Sequence, residues 1–418
     1  MSVLHVEGGR PLSGVVTVGG NKNAALPLIV ASLLTTEPVT LHNVPRIRDV
    51  DVLLDLIEAL GSAVEGRGTG TLVLRGPDRP GTTPDPTLVG RVRASMLLMG
   101  PILARRGEVQ LAPPGGDFPS RRTLSTHVQA LTALGARQVD GAAHAFEAPS
   151  GLVGASFYLD EASVTATELA VLAAVTAQGL SDIRHAATEP HVVELCELLV
   201  AMGAQIEGAG TSRLQIHGVT RLHGAEHTLR GDYIEAGTWA VIGAVTMGSI
   251  DVRGAEATDM EPIVAVLRRM QVPCEVDGGR VQVTPGRCVA ARRLVTGLWP
   301  GFPSDMVSLF TVLATQAQGH TLIHDWMYEL RLFALEQLSG MHADIFLCDS
   351  HRMVVTGPTP LRGRHLDTRD LRSGMALIAA ALAARGESRV GPLETVERGY
   401  ADVVERLTSL GAQVSREP

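Results

Sequence analysis

Apolar positions along the 418-residue chain fall into two kinds of long run that alternate with each other. One kind is apolar on every side, as in ALPLIVASLL at 25–34 and GMALIAAALAA at 374–384. The other carries its apolar residues three and four apart with charges between them, as in VDVLLDLIEALG at 50–61. The first pattern predicts helices buried all round, the second helices with one buried face. Short β-branched stretches between them predict strands.

The alternation is periodic. A helix-like segment ending in Leu/Met-Gly-Ala and followed by a β-branched residue recurs around Gly61, Gly135, Gly203, Gln271, His342 and Gly411, at spacings of 74, 68, 68, 71 and 69 residues. Ala-rich apolar runs stop on the same beat at Gly107, Gly179, Gly248, Gly319 and Gly386, and glycine just past such a run is a helix stop. Each unit of about 70 residues therefore reads as a βαβαββ repeat, six in all, with the all-apolar helices enclosed by sheets. A chain of this length exceeds one hydrophobic core, so three repeats per domain follow. A solenoid would need an unusually large unit of two helices and four strands. GRGTG at 66–70 lacks the dinucleotide fingerprint and predicts a hairpin turn.

Composition narrows the function. The net charge of -8 leaves no footprint for nucleic acid or an anionic membrane surface. No signal-peptide pattern or membrane-length apolar run is present, so the expected compartment is the cytoplasm, with no obligate protein partner. Cys196, Cys274, Cys288 and Cys348 lack metal-type or disulfide spacing, which predicts four structural thiols and no metal. Of the 36 basic residues only Lys22 is lysine, and a guanidinium cannot replace a compact ammonium that must approach one oxygen. Lys22 is thereby marked for chemistry.

It lies in VGGNKNAALPLIV, between a strand and the start of a buried helix, where backbone donors and the helix dipole favour anions. Asn21 or Asn23 alone reads as a helix cap. Arg93 lies in VRASMLLMGPILARRG, and the loop LAPPGGDFPSRRTLSTH carries Asp117, Arg121, Arg122 and His127 and reads as a segment able to close over a ligand. In the second half, Asp305, Arg331, Asp370, Arg372, Glu397 and Arg398 fall near element starts of successive repeats.

Together GGNKNAALPL, NVPRIRDVD, RASMLLMGPILARRG, EPHVVEL, IEAGTW, FPSDM, DLRSGMALIAA and ERGY resemble the UDP-N-acetylglucosamine enolpyruvyl transferases from end to end. The resemblance implies an inside-out α/β barrel fold, with residues 1–20 and 230–418 in one domain and 21–229, carrying the closing loop 113–122, in the other. It implies transfer of the enolpyruvyl group of phosphoenolpyruvate to the 3-hydroxyl of the sugar nucleotide, with release of phosphate and no cofactor. Lys22, Arg122 and Arg398 would hold the phosphate, Arg331 and Arg372 the carboxylate. Asn23, Arg93, Arg122, Thr123, Leu124, Ser125, Thr126, Ser163, Val164, Glu189 and Met327 would lie against the acceptor, with Asn23 also beside phosphoenolpyruvate. Asp305 would act at the acceptor hydroxyl and Asp117 as the acid at C3.

Some positions depart from the family pattern. Asp117 stands where most members carry Cys, the target of the epoxide antibiotic fosfomycin, which implies a resistant variant. On the acceptor side Glu161 replaces a usual Lys, Thr165 a Gly, Ser125 an Asp, and Thr188 a longer basic residue. These leave open a paralogue acting on a different nucleotide or sugar acceptor. A non-catalytic relative is the remaining alternative.

Overall fold

The computed structural model describes residues 2–115, 123–140, 144–329 and 331–418. Among them two compact units form. One joins the first 19 residues to Arg230–Pro418, and the other draws on the described residues of Gly20–Leu229.

In the unit of Arg230–Pro418, helices Tyr233–Val245, Val307–Gln316 and Leu371–Ala383 pack on one another. Nearly every residue of the three is buried, because they have no polar face to turn outward. Three four-stranded sheets belong to this unit, and each combines one parallel pair with two antiparallel ones. Val3–Gly8 lies in the first, between Gly386–Gly391 and Gln413–Glu417, so the chain's beginning and end share a sheet.

The other unit holds helices Lys22–Ala31, Met99–Arg106 and Val164–Ala174, again rich in buried residues. Two of its sheets have four strands, and the third shows three among the described residues. The strand before each of the two crossings of the chain pairs within its own unit. Ser13–Thr17 pairs in parallel with Ser249–Arg253, and Ala225–Thr228 pairs in parallel with Val39–His42. The result is an α/β architecture of mixed sheets.

Helix Arg48–Ala59 is amphipathic, as its spacing predicts. Arg48–Ala59 buries Val50, Leu53, Leu54, Leu56 and Ile57, and its charged residues other than Asp49 stay at least partly accessible. The periodic stop positions have one physical cause. Gly61, Gly135, Gly203 and Gly411 all have positive φ, and so do Gln271 (56°) and His342 (70°), which adopt the same left-handed turn at a steric cost. At Gly248 the expectation needs correction. Met247, at φ 54°, is the left-handed residue, and Gly248 is required because a Cβ there would lie 1.9 Å from the carbonyl oxygen of Leu12. The segment 66–70 joins Ala63–Glu65 to Leu72–Arg75, an antiparallel pair.

Candidate active site

In the unit of Arg230–Pro418, Asp305 sits in the short 3-10 turn Ser304–Met306 that leads into helix Val307–Gln316. Its carboxylate joins two guanidinium groups. Arg331 donates from Nη1 and Nη2 to Oδ1, both at 3.1 Å. Arg372 donates from Nε to Oδ2 at 3.1 Å, with Nη2 at 2.9 Å from the same oxygen. The arginine side chains are 6% and 5% exposed and that of Asp305 28%, so the cluster is buried on its cationic side and open on its acidic side.

Several neighbours hold it. The ring of Tyr328 lies 4.2 Å from the Arg331 guanidinium, and Arg331 Nη1 also donates to the carbonyl of Ser304. Arg372 Nη1 donates to the Tyr400 hydroxyl at 3.3 Å, which shares a 2.9 Å hydrogen bond with Thr238. Asp370 caps helix Leu371–Ala383, accepting from the amides of Arg372 and Ser373. Burial is the largest single effect on both guanidinium groups and pulls them down, while the charge of Asp305 pulls them up. Asp325 and Asp370 add to the effect at Arg331, Tyr400 and Asp232 at Arg372, and both shifts are net upward. The pair is therefore cationic at any working pH. Nε of Arg331 is buried without a hydrogen-bond partner among the described residues, a donor that an incoming anion could satisfy.

Lys22 lies in the other unit. Lys22 is the first residue of helix Lys22–Ala31, and Asn21 caps it, accepting from the amides of Asn23 (2.8 Å) and Ala24 (3.2 Å). An ammonium at a helix N-terminus opposes the dipole, and Lys22 is also buried. Asp49, in the first turn of Arg48–Ala59, compensates: its Oδ2 lies 2.9 Å from Lys22 Nζ. Asn23 is half-buried one residue on.

Several of the expected acceptor positions lie at helix starts. Arg93 Nη2 lies 3.5 Å from the carbonyl of Thr123, whose hydroxyl bonds that of Ser125 at 2.8 Å. Leu124 precedes helix Ser125–Ala133, in which Thr126 is buried. Ser163 caps helix Val164–Ala174, and Glu189 precedes Pro190–Ala201. Thr165 bonds the buried His127 at 2.9 Å, which ties helix Ser125–Ala133 to Val164–Ala174. Glu161 is exposed. One turn past Thr165, burial pushes the carboxyl of Glu168 far up, with Glu189 adding to the effect.

Asp305, Arg331 and Arg372 thus form one cluster. Met327 is half-buried four residues before Arg331, and Arg398 is half-buried just past helix Leu393–Val396. Asp117, Arg121 and Arg122 lie outside the described residues. Sequence reasoning missed Asp49, Asp325 and Tyr400, although Asp49 and Tyr400 stand inside the motifs NVPRIRDVD and ERGY. Among the described residues no group of His, Cys, Asp and Glu could hold a metal ion, and no helix is long and apolar enough to cross a membrane.

The family profile of EPSP synthase (3-phosphoshikimate 1-carboxyvinyltransferase) matches residues 6–407, which defines the class as carboxyvinyl, or enolpyruvyl, transferase. Among solved structures, the enolpyruvyl transferase NikO from Streptomyces tendae shares the fold at a TM-score of 0.90 and 24% identity, over 100% of this chain and 99% of that one. EPSP synthase from Acinetobacter baumannii shares it at 0.76 and 17%, over 100% of both chains. The UDP-N-acetylglucosamine 1-carboxyvinyltransferase of Bradyrhizobium diazoefficiens is 44% identical over 99% of this chain and 97% of its own. That of Treponema denticola is 43% identical over 98% of each. The chain belongs to the UDP-N-acetylglucosamine 1-carboxyvinyltransferase family.

Proposed function

We propose that the protein transfers the enolpyruvyl group of phosphoenolpyruvate to the 3-hydroxyl of UDP-N-acetylglucosamine with release of phosphate, the first committed step of peptidoglycan synthesis, in the cytoplasm. The observation that carries this reading is the likeness, at 44% identity over 99% of the chain, to a relative of that name. The buried pair Arg331 and Arg372 around Asp305 supports it.

In this reading Arg331 and Arg372 take the planar carboxylate of phosphoenolpyruvate, which guanidinium forks fit bidentately. Lys22, Arg122 and Arg398 take its phosphate, with Asn23 alongside. Asp305 accepts the proton of the attacking hydroxyl while Asp117 delivers one to C3; phosphate then leaves the tetrahedral ketal as a proton is lost from C3, which restores the double bond. Both steps need acid, base and fixed cations, and no cofactor. Arg93, Thr123 to Thr126, Ser163, Val164, Glu189 and Met327 line the acceptor. Each compact unit is read as an inside-out α/β barrel of three repeats, with the buried helices inside and the sheets outside.

An acceptor scan tests the proposal. Phosphate release from phosphoenolpyruvate should saturate with UDP-N-acetylglucosamine and stay at background with shikimate 3-phosphate. Saturation with another nucleotide or sugar alone would reassign the acceptor.

A further inference from the structure

We infer that Asp325 is a positioning residue that holds the Asp305 turn and the segment leading to Arg331 in one frame, an inference that rests on the roles proposed above for Asp305 and Arg331. Its side chain is fully buried, and four uncharged donors converge on it. Oδ1 accepts from the Thr296 hydroxyl at 3.1 Å and from the amides of Met327 and Tyr328 at 3.2 and 3.3 Å. Oδ2 accepts from the Ser304 hydroxyl at 2.7 Å. The backbone of Asp325 is pinned as well: its amide donates to the carbonyl of His351 at 2.9 Å, and its own carbonyl lies 2.8 Å from His351 Nδ1.

A carboxylate buried among neutral donors is costly, and the four hydrogen bonds, with the nearby charge of Arg331, offset that cost. Each of the four arms ties a different piece of chain to the same side chain. Ser304 immediately precedes Asp305, and its carbonyl accepts from Arg331. Met327 and Tyr328 begin the segment that ends at Arg331, and Tyr328 stacks on the guanidinium. One side chain thus fixes the spacing between base and clamp, and misplacement by about 1 Å can cost on the order of 100-fold in rate.

The four donors also make the idea testable, because they point in different directions. Ser304→Ala removes the arm that reaches the Asp305 turn, whereas Thr296→Val removes a buried arm that reaches neither Asp305 nor Arg331. In steady-state assays with phosphoenolpyruvate and UDP-N-acetylglucosamine, Ser304→Ala should lower kcat by roughly 10-fold and Asp325→Asn by more. Thr296→Val should stay within about twofold while losing at least as much Tm as Ser304→Ala. If kcat in all three variants merely follows the loss of Tm, Asp325 is an ordinary turn cap and the inference fails. Asp305→Ala separates this from failure of the underlying reading. Turnover retained in that variant removes the proposed role of Asp305 and the inference with it. Turnover lost there, with Ser304→Ala behaving as Thr296→Val, overturns the positioning role alone.

Discussion

Lys22 Nζ lies 2.9 Å from Oδ2 of Asp49, and both side chains are buried. A buried ammonium is tolerated at a helix N-terminus when a carboxylate compensates it, and a planar guanidinium is no substitute for a compact ammonium in such a pair. Lys22→Arg should therefore lower kcat/KM by roughly 100-fold or more although the charge is kept. Steady-state kinetics at saturating acceptor provide the check, and near wild-type turnover would remove Lys22 from the chemistry.

Glu168 makes a pH-dependent prediction. Its folded-state pKa is raised well above the ordinary 4.5 by burial, with Glu189 adding to the shift, and its Oε1 has no hydrogen-bond partner among the described residues. Below 4.5 the carboxyl is protonated in folded and unfolded chains alike, so stability is then complete. As pH rises above that value only the unfolded chain ionises, and stability falls until the folded carboxyl ionises too. Glu168→Gln should melt several degrees higher than wild type near pH 8, with the gap closing as pH falls toward about 4.5. Parallel melting curves at every pH would show that Glu168 is not held protonated.

Asp117 predicts resistance to fosfomycin. A carboxylate is a poorer nucleophile toward the epoxide than a thiolate, so incubation should leave Asp117 unlabelled and activity intact. Mass spectrometry of the intact protein reads this directly, and stoichiometric adduct at Asp117 would contradict it.

Glu161 bears on the acceptor. An exposed acid where relatives of the resemblance carry Lys would repel a diphosphate, so Glu161→Lys should lower KM for UDP-N-acetylglucosamine several-fold with little change in kcat, the signature of uniform binding. A wild-type KM within roughly 1 μM to 1 mM and unmoved by the substitution would place Glu161 away from the diphosphate.

The alternation of all-apolar and amphipathic runs made the helices legible, because burial on every side leaves a chain no choice of face. Several helix stops were legible through glycine, yet Gln271 and His342 take the same left-handed turn, and at Gly248 the duty passes to Met247. Lys22, Asp305, Arg331 and Arg372 were marked by residue type and motif. Asp49 and Asp325 were not, since an acid next to a helix start or turn looks like a cap. Only the folded chain brings Asp49 to Lys22 and Ser304 to Asp325.

The most direct test of enolpyruvyl transfer follows the bridging oxygen of phosphoenolpyruvate. With that oxygen isotopically labelled and UDP-N-acetylglucosamine as acceptor, addition and elimination break the bond between carbon and the bridging oxygen. All label should leave in phosphate, matched one to one by an enolpyruvyl ether of the sugar nucleotide. Label retained in pyruvate, or phosphate released with no ether formed, would contradict the account.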